Sequence, residues 1–497
     1  MGVGALINDP LVEGRLKAHI CIIGAGAAGI TLAAELSRSG KKIVILESGL
    51  SEADPKISSL YEGEPGALMR RIGHQDFLTE SRTRCEGGST NCWGGTCRPL
   101  DTIDFEKRKG VHYSGWPITP NELEPFYRRA HDFCGLDDYV YDDAAYWIPK
   151  IGDQSLRLMP HSPRMKSVVF QEMSHEPNPV DNRRFQHALA RTVASFPNVT
   201  FYGDATVTFL ESSKDGKIIV CAHVSTCQGI RFKVVADTFV LAAGGIETVR
   251  ILMLSDQNQA TNGGIGNHSG LLGKFFMVHP LIQRVADTEL DGVTWSLYTE
   301  PKIIRESNTI LTVRLAPTET EIRGSGLGNF RFYLPYHQDA GKVIVNLNWE
   351  QAPNPNSFVR LMDDVDFLGQ KRVELHWELT QKDKETARWA LSLLQQEFHE
   401  LGLGKLKTLS DLRGDADEWE PYGGPFSSGL DPGDHHMGTT RMSIDPDDGV
   451  VDTNCKIHHT NNLYIAGSSV FPTGGYANPT LSIIALAMRL ASYLRLV

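Results

Sequence analysis

Apolar runs alternate with helix-type patterns in the N-terminal part of the chain. The apolar run at residues 19–23 leads into the glycine-rich stretch Gly24–Gly29, and a helical pattern follows as far as Arg38. A second apolar run at residues 42–46 then ends at Glu47. This order predicts a strand, a glycine turn, a helix and a second strand, which together form a βαβ unit.

The glycine turn has the spacing of a dinucleotide-binding fingerprint. Gly24 permits the tight turn, Gly26 allows the backbone to approach a pyrophosphate, and Gly29 allows close helix packing. The positive end of the helix faces the same negative charge. Glu47 follows Gly24 by 23 residues, close to the spacing of an acid that hydrogen-bonds an adenosine ribose. The residues therefore predict a dinucleotide site, and NAD and FAD fit it equally well at this point.

Strand patterns later in the chain predict two sheets. The runs expected to extend the first sheet are residues 198–202, 205–210, 230–235 and 238–245, the last followed by a helix at 246–252. Between Trp295 and Leu379, alternating segments such as 328–334 and 343–349 predict antiparallel strands. Lys384 to Leu401 has the pattern of an amphipathic helix that covers these strands.

The composition narrows the class of protein. The chain has 497 residues, of which 41% are apolar and 22% charged, and this excludes disordered, collagen-like and disulfide-scaffold proteins. Its net charge is −11, and no stretch concentrates lysine and arginine, so a nucleic-acid partner is not expected. The eight cysteines are scattered without a CxxC pair, which indicates neither a disulfide framework nor a metal site.

The two ends of the chain predict a cytoplasmic protein. The segment Met1–Pro10 lacks the basic flank and apolar run of a signal peptide. The most apolar window, Leu481–Val497, is interrupted by Arg489 and Arg495 and is too short to span a membrane. This window is predicted to be a buried terminal helix.

Three further segments decide between the nicotinamide and flavin alternatives. They are Gly87–Gly95, Asp434–Met442 and Asn462–Thr473, the last leading to Asn478–Leu481. Together with the glycine fingerprint, these segments resemble the glucose-methanol-choline (GMC) oxidoreductase family. Segments similar to its bacterial sugar and polyol branch are Ser114–Ile118 and Leu123–Tyr127, and Ala477–Leu481 is similar to the pyranose oxidases.

The resemblance implies an α/β fold in which a Rossmann-like FAD-binding domain is interleaved with an α+β substrate domain built on an antiparallel sheet. The FAD-binding domain is expected at residues 1–100, 181–285 and 443–497, and the substrate-binding domain at 101–180 and 286–442. FAD is expected to be bound without a covalent link. Its implied contacts are Gly24, Gly26, Ala28, Gly29, Glu47, Gly87, Gly88, Ser89, Asn91, Cys92, Val207, Gly244, Gly467, Ser468, Pro479 and Thr480.

In this family, alcohol oxidation transfers a hydride to the flavin while a histidine takes the hydroxyl proton. His435 matches that histidine and Asn478 matches its neighbour. An imidazole that titrates near neutrality suits the base, whereas an amide can only hydrogen-bond the alcohol oxygen. Asn478 and Pro479 also suit the cap and first turn of a helix whose positive end faces the flavin.

Cys92 and Gly94 depart from the pyranose oxidases. Cys92 stands where those enzymes place the histidine that carries FAD covalently, and a flavin thioether is chemically possible there. The alternative that we favour is a buried thiol beside a noncovalently held flavin. Gly94 stands where those enzymes place a threonine near flavin N5, so their way of handling oxygen does not carry over.

Several other polar residues are predicted to be structural. His436 and His279 are expected to pack or to support the site, and Glu247 and Arg250 to be solvated or capping charges. The acidic residues Asp363, Asp364 and Asp366 precede a glycine turn, where loop solvation is expected rather than a metal site.

The sequence thus predicts an FAD-dependent enzyme that oxidises a CH–OH group of a sugar, glycoside, aminosugar or polyol to a carbonyl. Oxygen or a quinone-like acceptor would reoxidise the flavin. The alternatives are a flavin-containing lyase of the same fold, similar to hydroxynitrile lyases and without net redox, and a noncatalytic binding protein in which His435 is idle.

Overall fold

A computed structural model describes residues 14–160, 162–174, 181, 183–256, 263–338, 341–409, 412 and 429–497. The strands are β1 Arg15–Ile23, β2 Ile43–Leu46, β3 Gly63–Pro65, β4 Thr96–Cys97, β5 Met165–Glu172, β6 Val199–Tyr202, β7 Thr206–Ser212, β8 Ile219–Ser225, β9 Arg231–Leu241, β10 Leu281–Thr288, β11 Lys302–Ile303, β12 Ile310–Pro317, β13 Phe330–Tyr333, β14 Tyr336–His337, β15 Lys342–Trp349, β16 Phe358–Val365, β17 Lys371–His376, β18 Leu406–Thr408, β19 Gly429–Asp431 and β20 Leu463–Ile465. The helices are α1 Ala27–Leu36, α2 Pro55–Ser58, α3 Ala67–Arg71, α4 Phe77–Glu80, α5 Pro120–Phe133, α6 Ala144–Ile151, α7 Gln186–Ser195, α8 Gly244–Leu254, α9 Ser296–Thr299, α10 Glu319–Ser325, α11 Gln381–Glu400 and α12 Thr480–Leu494. The segment Met1–Pro10 lies outside the described residues.

The first sheet gathers strands from distant parts of the chain. Its order is β6-β2-β1-β9-β8-β7, with β20 paired to β9. The pairs β6-β2, β2-β1, β1-β9 and β9-β20 are parallel, whereas β8 runs antiparallel to β7 and β9. The predicted α/β fold, with later strands added to the first sheet, is confirmed.

One strand differs from its sequence prediction. The runs at 230–235 and 238–245 were expected as separate strands, but residues 231–241 form the single strand β9. Pairing with β1 extends from Arg15 opposite Lys233 to Ile23 opposite Leu241. A partner along nearly the whole length outweighs the break that polar residues suggested.

A second sheet of ten strands has the order β18-β10-β15-β13-β12-β5-β4, and β11, β14 and β19 pair with β12, β15 and β10. Its central pairings are antiparallel, as predicted for the segments at 328–334 and 343–349. One face is apolar and buried, and it packs against α11, where the rings of Phe330 and Trp389 lie 5.1 Å apart. The predicted covering helix is therefore confirmed, although it begins three residues earlier, at Gln381.

The predicted domain boundaries stay a prediction. The strands of the first sheet all lie within the segments expected for the FAD-binding domain. However, β3 and β4, which lie within residues 1–100, pair with β17 and β5 of other sheets, and β10 crosses residue 285. The segments expected for the FAD-binding domain therefore also contribute strands to the neighbouring sheets.

The terminal helix α12 is almost entirely buried, as predicted. The cap expected from Asn478 is not formed, because Pro479 is the N-cap residue and no side chain caps the helix. The amide of Asn478 instead contacts the guanidinium of Arg331. Among the described residues, no helix has the length and apolar character needed to cross a membrane.

We predict that the capping box of α11 contributes measurably to stability. Thr380 Oγ1 accepts from the backbone of Asp383 at 3.3 Å, and the Asp383 carboxylate accepts from the backbone of Thr380 at 2.7 Å. Thr380→Ala should lower the free energy of unfolding by about 1 kcal/mol, whereas Thr380→Ser should change it little because it keeps the hydroxyl. Equal thermal midpoints for the two variants would contradict this prediction.

Candidate active site

A cavity of about 480 Å³ lies at the carboxyl ends of the parallel strands. Ile23 and Leu46 line it at the ends of β1 and β2, and Ala242 and Ala466 line it just after β9 and β20. Ligands of open parallel sheets bind at this edge, because the strand-to-helix turns leave a crevice there. The cavity continues to His435 and to the start of α12.

The three fingerprint positions require glycine for different structural reasons. A Cβ on Gly24 would lie 2.5 Å from the Ala242 carbonyl oxygen, and one on Gly29 would lie 2.0 Å from the Gly24 carbonyl oxygen. Both positions therefore need glycine for packing. Gly26 lines the cavity, and a Cβ there would meet nothing within 4 Å. Because packing does not require glycine at this position, close approach of a bound phosphate explains it.

The start of α1 is suited to an anion. Gly26 is its N-cap residue and no side chain caps the helix, so its first backbone N–H groups are available at the cavity edge. Glu47 is buried beside this turn, where its two carboxylate oxygens accept from Ala25 N and Gly49 N, each at 2.8 Å. Burial raises the pKa of Glu47, and these bonds and Arg84 oppose that shift. Each oxygen retains acceptor capacity for a ribose hydroxyl.

The cavity brings together most of the residues predicted for the site. Those that line it are Gly24, Gly26, Ala28, Glu47, Gly88, Ser89, Cys92, Val207, Gly244, His435, Gly467, Ser468, Asn478, Pro479 and Thr480. Gly29, Gly87 and Asn91 lie behind the wall. Gly87 N donates to Ala25 O at 2.9 Å, and the Asn91 amide donates to Glu86 O and Gly88 O. These residues shape the turns rather than line the cavity.

Cys92 lines the cavity and its side chain is open to it, so the expectation of a thiol buried beside a noncovalently held flavin stays a prediction. It lies at the end of the 3₁₀ turn Gly88–Asn91, which presents its side chain to the opening. The sulfur accepts from Thr83 Oγ1 and contacts Ser89 O, each at 3.3 Å. Both partners are polar groups of the same loop, and nothing in these contacts indicates a covalent flavin link.

A chain of hydrogen bonds runs through His435. Arg331 Nη1 donates to Asn478 Oδ1 at 3.0 Å, and this assigns the Asn478 amide so that its Nδ2 faces His435 Nε2 at 3.4 Å. On the far side, His435 Nδ1 lies 2.9 Å from His279 Nδ1. His279 Nε2 lies 3.3 Å from the carbonyl oxygen of Gly474, which accepts only.

These contacts agree on one arrangement of protons. The Gly474 carbonyl needs a proton on His279 Nε2, which leaves His279 Nδ1 as an acceptor. His435 Nδ1 therefore carries the proton and donates it to His279. The Asn478 amide donor independently requires His435 Nε2 to be unprotonated. The unprotonated nitrogen is thus Nε2, which lies beside Asn478.

Burial keeps both imidazoles neutral. It lowers the pKa of His435 well below its usual value, and the charges of His279, when protonated, and of Arg331 act in the same direction. Burial, followed by the charge of Arg331, lowers the pKa of His279 to about 3. A neutral imidazole with an unprotonated Nε2 can accept a proton from a hydroxyl group.

His436 also lines the cavity and contacts the neighbouring loops, and its expected structural role stays a prediction. Its Nε2 lies 3.0 Å from Ser81 Oγ, and its backbone oxygen accepts from Ser468 Oγ at 2.6 Å. A Cβ on Gly245 would lie 2.8 Å from that same oxygen. His279 was also expected to be structural, but its direct contact with His435 makes it part of the site.

A buried ionic cluster around Glu247 and Arg250 of α8 was not predicted from the sequence. Glu247 was predicted to be solvated, yet it is buried and pairs with Arg82 at 3.2 Å, Arg84 at 2.7 Å and Arg250 at 3.4 Å. Arg250 pairs in turn with Asp366 at 2.6 Å, so the predictions for Arg250 and Asp366 are also wrong.

This cluster lies at the wall of the cavity. Tyr61 has the guanidinium carbons of Arg82 and Arg84 at 3.8 and 4.0 Å from its ring centroid. The sequence signal that could have predicted this cluster is the position of Arg82 and Arg84 just before the Gly87 loop. Residues next to that loop lie at the same wall of the cavity as the loop itself. Asp363 and Asp364 are exposed, as predicted, but they lie on β16 rather than in a loop, where they pair with Lys371 and Arg372.

We predict different defects from two alanine substitutions in the fingerprint, one in flavin binding and one in folding. Gly26 has an extended backbone, so Gly26→Ala should fold normally but lose bound flavin, because the new methyl group enters the cavity. Gly29→Ala should lower the yield of folded protein, because its Cβ would overlap the Gly24 carbonyl. Circular dichroism and the ratio of flavin to protein absorbance measure the two effects. Full flavin content in folded Gly26→Ala protein would overturn the assignment of this cradle.

Comparisons with known proteins agree with this site. A family model described as FAD dependent oxidoreductase matches residues 19–259, and one described as GMC oxidoreductase matches residues 353–487. A 2-methyl-1,2-propanediol dehydrogenase of Mycolicibacterium austroafricanum is 22% identical, over 96% of this chain and 95% of the relative. The fructose dehydrogenase large subunit of Gluconobacter japonicus is 24% identical, over 96% and 97%.

A solved structure shows the same fold. The crystal structure of pyridoxine 4-oxidase from Mesorbium loti has a TM-score of 0.61 at 20% sequence identity, and the match covers 95% of this chain and 98% of that one. The matched family models span both the glycine fingerprint and the segment that carries His435 and Asn478. The chain is an FAD-dependent oxidoreductase whose residues 353–487 match the glucose-methanol-choline (GMC) oxidoreductase family.

Proposed function

We propose that the enzyme oxidises an alcohol group of a sugar, glycoside, aminosugar or polyol to a carbonyl, with His435 as the base. The observation that carries this proposal is the unprotonated Nε2 of a neutral His435, which lines the same cavity as the FAD cradle. The names of the two relatives described above, one acting on a diol and one on a hexose, support this substrate class.

The residues of the cavity suit FAD. The uncapped start of α1 and the open Gly26 would hold the pyrophosphate, and Glu47 would hold the ribose. The uncapped start of α12 would face the flavin ring with its positive end. When bound there, FAD supplies the acceptor for the hydride that leaves the alcohol carbon.

The protein side of the reaction is a proton transfer. His435 Nε2 accepts the hydroxyl proton while its Nδ1–H remains donated to His279, so the ring is held in place as it becomes charged. The Asn478 amide, oriented by Arg331, can hydrogen-bond the alcohol oxygen but cannot take its proton. These two groups therefore position the hydroxyl and remove its proton.

Oxygen or a quinone-like acceptor would then receive the electrons. Gly94 lines the cavity and offers no side chain there, so it gives no hydroxyl of the kind that a threonine would supply. We also propose noncovalent FAD and a cytoplasmic location. The location is supported by eight cysteines that are all unpaired, which suits a reducing compartment.

Anaerobic mixing with sugars, glycosides, polyols and simple alcohols tests the proposed function. Bleaching of the flavin absorption band is expected with at least one of these classes, because the hydride transfer reduces the flavin. Admitting air, or adding a quinone, then identifies the acceptor. If no alcohol bleaches the flavin while a cyanohydrin is cleaved, the lyase alternative replaces the oxidoreductase.

We predict that His435→Ala lowers the rate constant of flavin reduction by about a hundredfold or more, because a positioned general base contributes that much. Flavin content and folding should remain normal. His112→Ala is the matched control, since His112 is exposed and does not line the cavity. An unchanged rate constant in His435→Ala would mean that His435 is not the base.

The rate constant of flavin reduction should vary little between about pH 6 and 8. The pKa of His435 lies well below its usual value, so the base is already unprotonated throughout this range. A group with the ordinary histidine pKa would instead lose activity steadily as the pH falls below about 6.5. Stopped-flow reduction with a neutral alcohol distinguishes the two outcomes.

A further inference from the structure

The ten-stranded sheet has a polar face on the side of the cavity. In an antiparallel pair, residues directly opposite each other share a face, and neighbours along a strand alternate between faces. Leu315 is paired with Phe332 on the apolar face, so Arg314 and Arg331 share the opposite face. Further polar residues of this face include Thr96, Lys166, Glu172, Thr312, Tyr333, Asn346 and Asn348.

Two contacts connect this polar face to the cavity. Thr96 lines the cavity directly. Arg331 donates to the Asn478 amide at 3.0 Å, and Asn478 lines the cavity beside His435. Arg331 therefore lies one side chain away from the base.

Arg314 and Arg331 are neighbouring buried cations without a carboxylate partner. Their guanidinium carbons lie 4.1 and 4.5 Å from the ring centroid of Phe170. Arg314 is 8% exposed and Arg331 4%. Within the described part of the chain, neither forms an ion pair, and the Nε atom of each is buried without a hydrogen-bond acceptor.

The neighbouring charged groups do not neutralise them. Arg98 lies against the same Phe170 ring, but its charge is met by Asp101 at 2.7 Å and Asp142 at 2.6 Å. Glu172 is half-buried on the same face, and its charge favours the protonated forms of both arginines. It does not come within ion-pair distance of either one.

An arrangement of this kind is costly unless an anion completes it. Burial lowers the pKa of both arginines, and the charge of Arg314 adds to the effect on Arg331. A buried charge destabilises a protein unless it is paired, and two adjacent like charges increase that cost. A guanidinium is also the group best suited to bind a carboxylate through two parallel hydrogen bonds.

We propose that Arg314 and Arg331 form a subsite for a carboxylate of the substrate, so that the preferred substrates are sugar acids or other polyhydroxy acids. This inference rests on the proposed alcohol oxidation and names its substrate class. Because Arg331 contacts Asn478, the carboxylate lies near the carbon that is oxidised. Thr312, Asn346 and Asn348 on the same face offer hydrogen bonds to the remaining hydroxyl groups.

Equilibrium binding tests the subsite without requiring turnover. The FAD-loaded enzyme is titrated anaerobically with a hexuronate, its methyl ester, the corresponding hexose and a hexose 6-phosphate. Binding is followed by the perturbation of the flavin absorption band, and flavin bleaching is recorded separately. The hexuronate should bind about tenfold or more tightly than its ester, because the ester keeps the shape but loses the charge.

Variants separate charge recognition from a structural role. Arg314→Gln should weaken hexuronate binding about tenfold while changing ester binding little, and Arg314→Lys should retain part of the preference. Arg360→Gln is the matched control, since Arg360 is an exposed arginine on β16 that pairs only with Glu374. If Arg314→Gln does not fold, the comparison of acid and ester on the natural enzyme still decides.

Each outcome bears on a different claim. Equal affinity for the hexuronate and its ester, or equal loss of both in Arg314→Gln, would overturn the subsite. Tighter binding of the hexose 6-phosphate than of the hexuronate would contradict the proposal that the subsite binds a carboxylate. Tight binding of the hexuronate without flavin bleaching by any compound would instead contradict the proposed alcohol oxidation and leave the anion subsite standing.

Discussion

The site depends on where one proton lies on His435. A carbonyl oxygen at Gly474 and a guanidinium at Arg331 stand at the two ends of the hydrogen-bond chain, and neither can reverse its role. The groups between them therefore have one consistent arrangement, with the proton on Nδ1 and the lone pair on Nε2. Because the imidazoles are buried and neutral, this tautomer is held by contacts and does not depend on the titration of either ring.

The fold brings four distant segments together to form this chain of hydrogen bonds. His279 lies immediately before β10, Arg331 lies on β13, His435 follows β19, and Asn478 precedes α12. The first two are positioned by the antiparallel sheet, and the last lies just before the start of α12, which packs against α1 and α5. The geometry around His435 therefore depends on how the antiparallel sheet is positioned relative to the segments that carry His435 and Asn478.

Local patterns predicted the parts of the molecule that local chemistry determines. The glycine turn, the strands around it and the helix over the antiparallel sheet follow from spacing and periodicity, and the structure confirms them. Contacts between distant residues were not predictable in this way. Glu247 looked like a surface charge because its partners Arg82 and Arg84 lie more than 160 positions earlier, and Asn478 looked like a helix cap because its partner Arg331 lies 147 positions away.

The surroundings of the polar face of the antiparallel sheet were likewise not predictable from local sequence patterns. Alternation in β13 and β15 indicates one polar and one apolar face, but it does not say whether the polar face meets solvent or a cavity. Here the contact between Arg331 and Asn478 places it at the cavity. Burial, and after it the charges of His279 and Arg331, lower the pKa of His435, and a substrate carboxylate beside Arg331 would offset the last of these. His435 would then become a stronger base only when such a substrate is bound, which links recognition of the acid group to removal of the hydroxyl proton.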